Sequence, residues 1–157
     1  MTIEQKNVAV IERLGKFDRI LESGLQFKLP FIENIAYKHS LKEEVHDIPN
    51  QHAITKDNVK VQIATVLYYK IIDAKKASYE INEPIQAVSF LAQTYMRSQI
   101  GLLELDRTFE ERDNLNIQVK LQLNKVCNEW GIEVLRHEIK DIQPPPQIKR
   151  SMELQAE

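Results

Sequence analysis

Four histidines, His39, His46, His52 and His137, are the side chains of this sequence best suited to holding a metal. A zinc site needs ligands that converge, and on a helix this means two histidines on successive turns. The first three are instead seven and six residues apart, which fits neither one helical face nor, throughout, one strand face. Surface or hydrogen-bonded histidines account for that spacing, so no metal is expected. Cys127 is the sole cysteine and can form neither an internal disulfide nor a cysteine-based zinc site. A catalytic thiol requires an exposed, electropositive setting. Cys127 follows Val126 and precedes Trp130 by three residues in a helical run, where an inert, partly buried thiol is the ordinary outcome. A thiol hydrolase pairing Cys127 with His137 is the rival reading.

The remaining chemistry is thinner. Ser23, Ser40, Ser78, Ser89, Ser98 and Ser151 occupy no Gly-x-Ser-x-Gly elbow. The four glycines are too scattered to build a phosphate loop, so no cofactor is expected. Glu43-Glu44 and Glu110-Glu111 are neighbours in sequence and point apart on any regular element, which disfavours paired acid–base catalysis. Lys and Arg total 21 against 23 Asp and Glu, and with charges of both signs interspersed the chain offers no nucleic-acid surface.

The elements that position these residues are legible from periodicity. Val8–Leu14 is a short β run broken at Gly15-Lys16, Arg19–Leu21 resumes it, and Ser23-Gly24 turns into an alternating Leu25–Leu29 run that Pro30 stops. Ile35, Tyr37 and Leu41 share a parity, and Val45 and Ile48 lead to Pro49. From Val59 to Ile71 every second residue is apolar or Thr, while the opposite face turns apolar only at Ala64, Val66 and Tyr68. That pattern predicts a sheet with one face buried throughout and helices along half of the other. A short helix is predicted over Asp73–Tyr79. A longer one has Pro84 in its first turn, Asn82 as cap and Gly101 as stop. Thr108-Phe-Glu-Glu111 reads as a capping box opening another helix, with a stripe of Leu115, Val119, Leu123, Val126 and Trp130. A last strand, Ile132–Ile139, slips phase near Leu135 as a bulge would, and Pro144-Pro145-Pro146 ends pairing. Ile148 and Met152, four residues apart in the terminal run, are candidates for an assembly helix.

No apolar run approaches the roughly 20 residues of a membrane helix, and the first six residues lack the apolar core of a secretory signal. Leu25–Ile32 is nonetheless the most apolar stretch of the turn-rich first lobe. Phe31 and Ile32, after the proline, are candidates to face a membrane. Phe27 and Leu29 either join them or fill a small core beneath the hairpins. Lys28 would add attraction to anionic headgroups.

Several stretches resemble the stomatin and prohibitin superfamily, the SPFH or Band 7 domain. They are Val10–Phe17, Gly24-Leu25 with Leu29-Pro30, Asp47–Pro49, Thr55–Val59, Val66–Lys70, Leu91–Thr94 with Met96-Arg97, Glu129–Ile132, and Glu138–Ile142 with Pro144-Pro145. Lys76–Tyr79 and Leu105-Asp106 with Glu111-Arg112 resemble its stomatin-like, paraslipin-type branch. The resemblance implies an α+β fold, a curved antiparallel sheet with helices on one side, over residues 1–143. Residues 144–157 would be a Pro-rich junction and the start of a C-terminal helix. It further implies a non-enzymatic homo-oligomeric scaffold that organises membrane microdomains and regulates membrane proteases or channels. The expected location is the mitochondrial inner membrane in a eukaryote and the inner or plasma membrane in a bacterium. A hydrophobic anchor before Met1 and a long, coiled-coil helix after Glu157 are the further expectations, with this chain as the soluble core between them. A lipid- or peptide-binding module is the third reading.

Overall fold

The computed structural model describes residues 1–146. Its first lobe is built from short strands: β1 (Thr2–Ile3), β2 (Asn7–Arg13), β3 (Lys16–Leu21), β4 (Gly24–Leu25) and β5 (Glu33–Ser40). β3, β2 and β5 form one antiparallel sheet, and β1 pairs with β4. The β2–β3 hairpin closes through two residues of positive φ, Leu14 at 52° and Gly15 at 83°. Such a turn matches the right-handed strand twist, and it leaves the Leu14 side chain in solvent.

The second lobe holds β6 (Glu44–Ile54), β7 (Lys60–Ile71) and β8 (Ile132–Gln143) in the order β6-β7-β8, again antiparallel. Between β7 and β8 run α1 (Ala74–Tyr79), α2 (Pro84–Ile100), α3 (Leu105–Glu110) and α4 (Arg112–Cys127), then a 3-10 turn at Asn128–Trp130. α2 buries Val88, Ala92, Met96 and Ile100, and α4 buries Leu115, Val119, Leu123 and Cys127. Both sets recur every fourth residue, which lines them up on one helical face. They meet Val61, Ile63, Leu67 and Tyr69 of β7 and Ile132, Val134, Ile139 and Ile142 of β8 in the main core. At about 1.5–3 kcal/mol for each fully buried large aliphatic side chain, this cluster dominates the cohesion of the lobe.

The α+β class and the placement of helices on one side of the large sheet are as the sequence implies. The other face of β7 is covered differently from expectation. Among the described residues no helix lies there. Val66 is shielded where Lys140 Nζ reaches Asp47 across it, 2.9 Å apart, and Tyr68 lies beneath the Arg136 guanidinium at 4.5 Å. Long charged side chains cover apolar surface with their stems while their heads stay in water.

Other local differences have a shared cause in tertiary contacts. Leu25–Leu29 does not continue as a strand beyond Leu25. Asn82 does not cap α2; Glu83 does so in a left-handed conformation, without a side-chain bond. Thr108 opens no helix but sits fully buried inside α3, its hydroxyl donating to Leu105 O at 2.6 Å. The first α3 amide is held instead by Asp57, which accepts from Leu105 N at 3.2 Å. A carboxylate 48 residues upstream therefore does what the local capping box would have done. Cys127, rather than Val126, continues the buried stripe of α4. Pro49 does not end β6; the strand bulges between Ile48 and Gln51, and Gln93 Nε2 of α2 donates to Pro49 O. The expected bulge at Leu135 is present, since Val134 faces Tyr69 and Arg136 faces Tyr68.

β8 is an edge strand, and α4 seals it. Asn124 donates to Val134 O at 3.0 Å and accepts from Val134 N at 2.9 Å, as a neighbouring strand would. Asn116 accepts from Ile139 N at 3.0 Å. Sealed edges do not recruit foreign strands.

Candidate functional site

The two groups of the hydrolase reading do not activate one another. Cys127 is fully buried, and burial pushes its thiol up to about 12. At neutral pH it holds almost no thiolate, the nucleophilic form. His137 is 2% exposed, neither ring nitrogen has a hydrogen-bond partner, and burial lowers it to about 4. Of the other histidines, His39 Nε2 lies 2.7 Å from Ser78 Oγ. Among the described residues no three His, Cys, Asp or Glu converge as metal ligands do.

The chemistry of the first lobe is concentrated instead in the segment between β4 and β5. Phe27 is 82% exposed, Leu29 47%, Phe31 96% and Ile32 36%, with Leu14 at 79% beside them. Leu14 N donates to Ile32 O at 3.1 Å, which joins the hairpin tip to the segment. Phe27 and Leu29 therefore do not fill the core under the hairpins, which is built from Ile3, Ala9, Ile11, Leu21 and Ile35.

Exposed apolar side chains on a loop would normally collapse inward, and here the backbone is held against that. Glu33, at the first position of β5, is 4% exposed and receives Arg19 Nη1 and Nη2 at 2.8 Å each. Glu33 Oε2 also accepts from Leu29 N at 3.0 Å, and Arg19 Nη2 donates to Phe27 O at 2.9 Å. Glu33 N donates to Leu29 O at 3.1 Å, closing the turn over Pro30. One ion pair thus takes up backbone polar groups that a partner strand would have satisfied. Arg19 and the Leu29 amide hold the Glu33 carboxyl down at about 2. The side chains at 27, 29, 31 and 32 are left facing outward.

The sequence profile of the SPFH domain / Band 7 family matches residues 1–157. The chain belongs to the SPFH domain / Band 7 family. It is 48% identical over 155 residues to human "Stomatin-like protein 2, mitochondrial", covering 99% of this chain and 44% of the human protein. Similarity extends to "Stomatin-like protein stl-1" of Caenorhabditis elegans, 44% identical over 99% of this chain and 48% of the nematode protein. An uncharacterised protein of Archaeoglobus fulgidus is 39% identical over 99% of this chain and 62% of its own length. This SPFH chain spans about half the length of the curated relatives it matches.

Phe27, Leu29, Phe31 and Ile32, picked out by hydrophobicity, are all exposed on the segment between β4 and β5. Leu14, Arg19 and Glu33 were not anticipated. Leu14 carried a signal, an apolar residue next to glycine at a hairpin tip. The Arg19–Glu33 pair carried none, because its partners lie on different strands, 14 residues apart. Ile148 and Met152 lie outside the described residues, as does most of the 144–157 junction. Among the described residues no helix is long and apolar enough to cross a membrane.

Proposed function

We propose that this SPFH domain is a non-catalytic, self-assembling scaffold element that works against a membrane surface, with the Phe27–Ile32 segment as its lipid contact. The observation that carries this reading is the outward presentation of Phe27, Leu29, Phe31 and Ile32 by the Arg19–Glu33 pair. A soluble surface gains nothing from a Phe held 96% exposed, whereas a bilayer interface rewards each apolar group it takes up. Full burial of such a side chain stabilises by about 1.5–3 kcal/mol, so several partly inserted ones give reversible attachment.

The family and the stomatin-like relatives support membrane association, and the word "mitochondrial" in the human protein's name supports a mitochondrial inner membrane site in a eukaryotic host. In a bacterium the inner or plasma membrane is the corresponding place. Homo-oligomers, membrane microdomains, and membrane proteases or channels as regulated partners belong to the same reading. The i, i+4 spacing of Ile148 and Met152 supports a role in assembly.

Vesicle co-sedimentation of the chain and of its Phe31→Ser, Ile32→Ser double variant tests the lipid contact. Several-fold weaker binding at an unchanged melting temperature is the expected result. Undiminished binding by the folded variant would remove this segment from membrane contact. Light scattering before and after Ile148→Asp with Met152→Asp addresses assembly, and equal masses would rule those two residues out.

A further inference from the structure

A second surface lies close to the apolar segment, on the side of the small sheet that packs against α1. Tyr79 meets Phe17 edge to face at 5.9 Å between ring centroids and Tyr37 at 5.5 Å, both at 79°. His39 stacks on Tyr37 at 6.3 Å, and its bond to Ser78 of α1 fixes the stack. Tyr79 Oη donates to Glu12 Oε1 at 2.7 Å. Tyr37 and Tyr79 remain 41% and 39% exposed, so this aromatic corner is not used up in packing. It already draws one cation: Lys75 Nζ stands 4.3 Å from the Phe17 centroid.

Near-perpendicular aromatic rings with a carboxylate beside them form an environment that attracts an ammonium group. Ring faces attract the cation through their quadrupole, and the carboxylate supplies the charge. The position of the corner narrows the source of that ammonium. Glu12 lies opposite both Phe17 and Asn34 in the sheet, and Asn34 is two residues beyond Ile32. At about 3.3 Å per residue the corner begins roughly 7 Å from the end of the apolar segment. The headgroup layer on each side of a bilayer is of the same thickness, about 5–8 Å.

We propose that Phe17, Tyr37, Tyr79 and Glu12 form a headgroup site for the ammonium of a zwitterionic lipid, choline or ethanolamine, engaged while the Phe27–Ile32 segment lies in the interface. The site rests on the membrane reading above and adds to it a lipid preference. Lys75 is the internal competitor for the Phe17 face.

Two arms test the site and its lipid source separately. In the first, the chain is titrated with tetramethylammonium chloride against sodium chloride at constant ionic strength, and tyrosine ring resonances are followed. Saturable shifts at Tyr37 and Tyr79 are expected, and the Tyr79 shift should be retained in Tyr37→Phe and lost in Tyr37→Ala. In the second, co-sedimentation with phosphatidylcholine vesicles is compared with phosphatidylglycerol vesicles. Tyr37→Ala is expected to weaken choline-lipid binding about threefold and leave glycerol-lipid binding unchanged, with Lys75→Gln strengthening the former. Absent ring shifts, or equal losses on both lipids, overturn the headgroup site and leave vesicle binding standing. Ring shifts in a chain that binds no vesicle overturn the lipid source and the membrane reading together.

Discussion

Arg19 and Glu33 hold each other through two 2.8 Å bonds, and between them they also bind the backbone at Phe27 and Leu29. The pair is the fixed point of the first lobe, because it spans β3, β5 and the segment that leaves the sheet. Glu33→Gln keeps the shape and removes the charge. We expect a lower melting temperature and faster amide exchange at Leu29. The wild-type carboxyl, held at about 2 against an ordinary 4.5, contributes stability that is present above pH 4.5 and lost as pH falls towards 2. Acid unfolding followed by circular dichroism should show that loss in the wild type and a flatter profile in the variant.

His137 produces an acid sensitivity in a different window. Its ring is buried without a partner, so the folded state disfavours protonation and titrates at about 4 rather than 6.5. The unfolded chain therefore binds the proton first, and stability falls as pH drops from 6.5 to 4 while staying level above it. The full effect is about 3 kcal/mol. His137→Phe should remove most of the pH dependence between 6.5 and 4.5 in urea titrations, leaving the part owed to His39, which burial also lowers. A wild-type midpoint that does not move over this range would contradict the assignment.

Gly131 is required where the 3-10 turn after α4 meets the start of α1. It has a φ of 70°, and a Cβ added there would stand 2.2 Å from Asp73 O. Its carbonyl accepts from Ile72 N and Asp73 N, so the backbone has little room to retreat. Gly131→Ala is expected to destabilise by more than about 1 kcal/mol, against a gain of up to that size where alanine fits. Thermal unfolding measures it.

Asn124 seals the β8 edge through both polar groups of Val134. Asn124→Ala should cost about 1–3 kcal/mol if those groups are left dry. Asn124→Leu should be as destabilised and, with the edge open, more prone to aggregate. Unfolding midpoints and turbidity at elevated protein concentration distinguish the two effects.

Much of this architecture was legible in the residues themselves. The alternation from Val59 to Ile71 set the long β7 strand, the stripe of Leu115, Val119 and Leu123 marked the buried face of α4, and the phase slip at Leu135 announced its bulge. These are local signals, because the period of a strand or helix dictates which side chains share a face. The apolar segment and its four candidates were equally visible, since hydrophobicity is a property of the side chain alone. What the segment does with them was not. Whether Phe27 faces solvent or core depends on Arg19 and Glu33 meeting from separate strands, and the α3 start depends on Asp57 arriving from 48 residues away. The same holds for the Tyr37–Tyr79 corner, assembled from a strand and a helix 42 residues apart in sequence. Periodicity carries no record of such meetings, because contact energies act between neighbours in space, and only the folded chain decides which residues become neighbours.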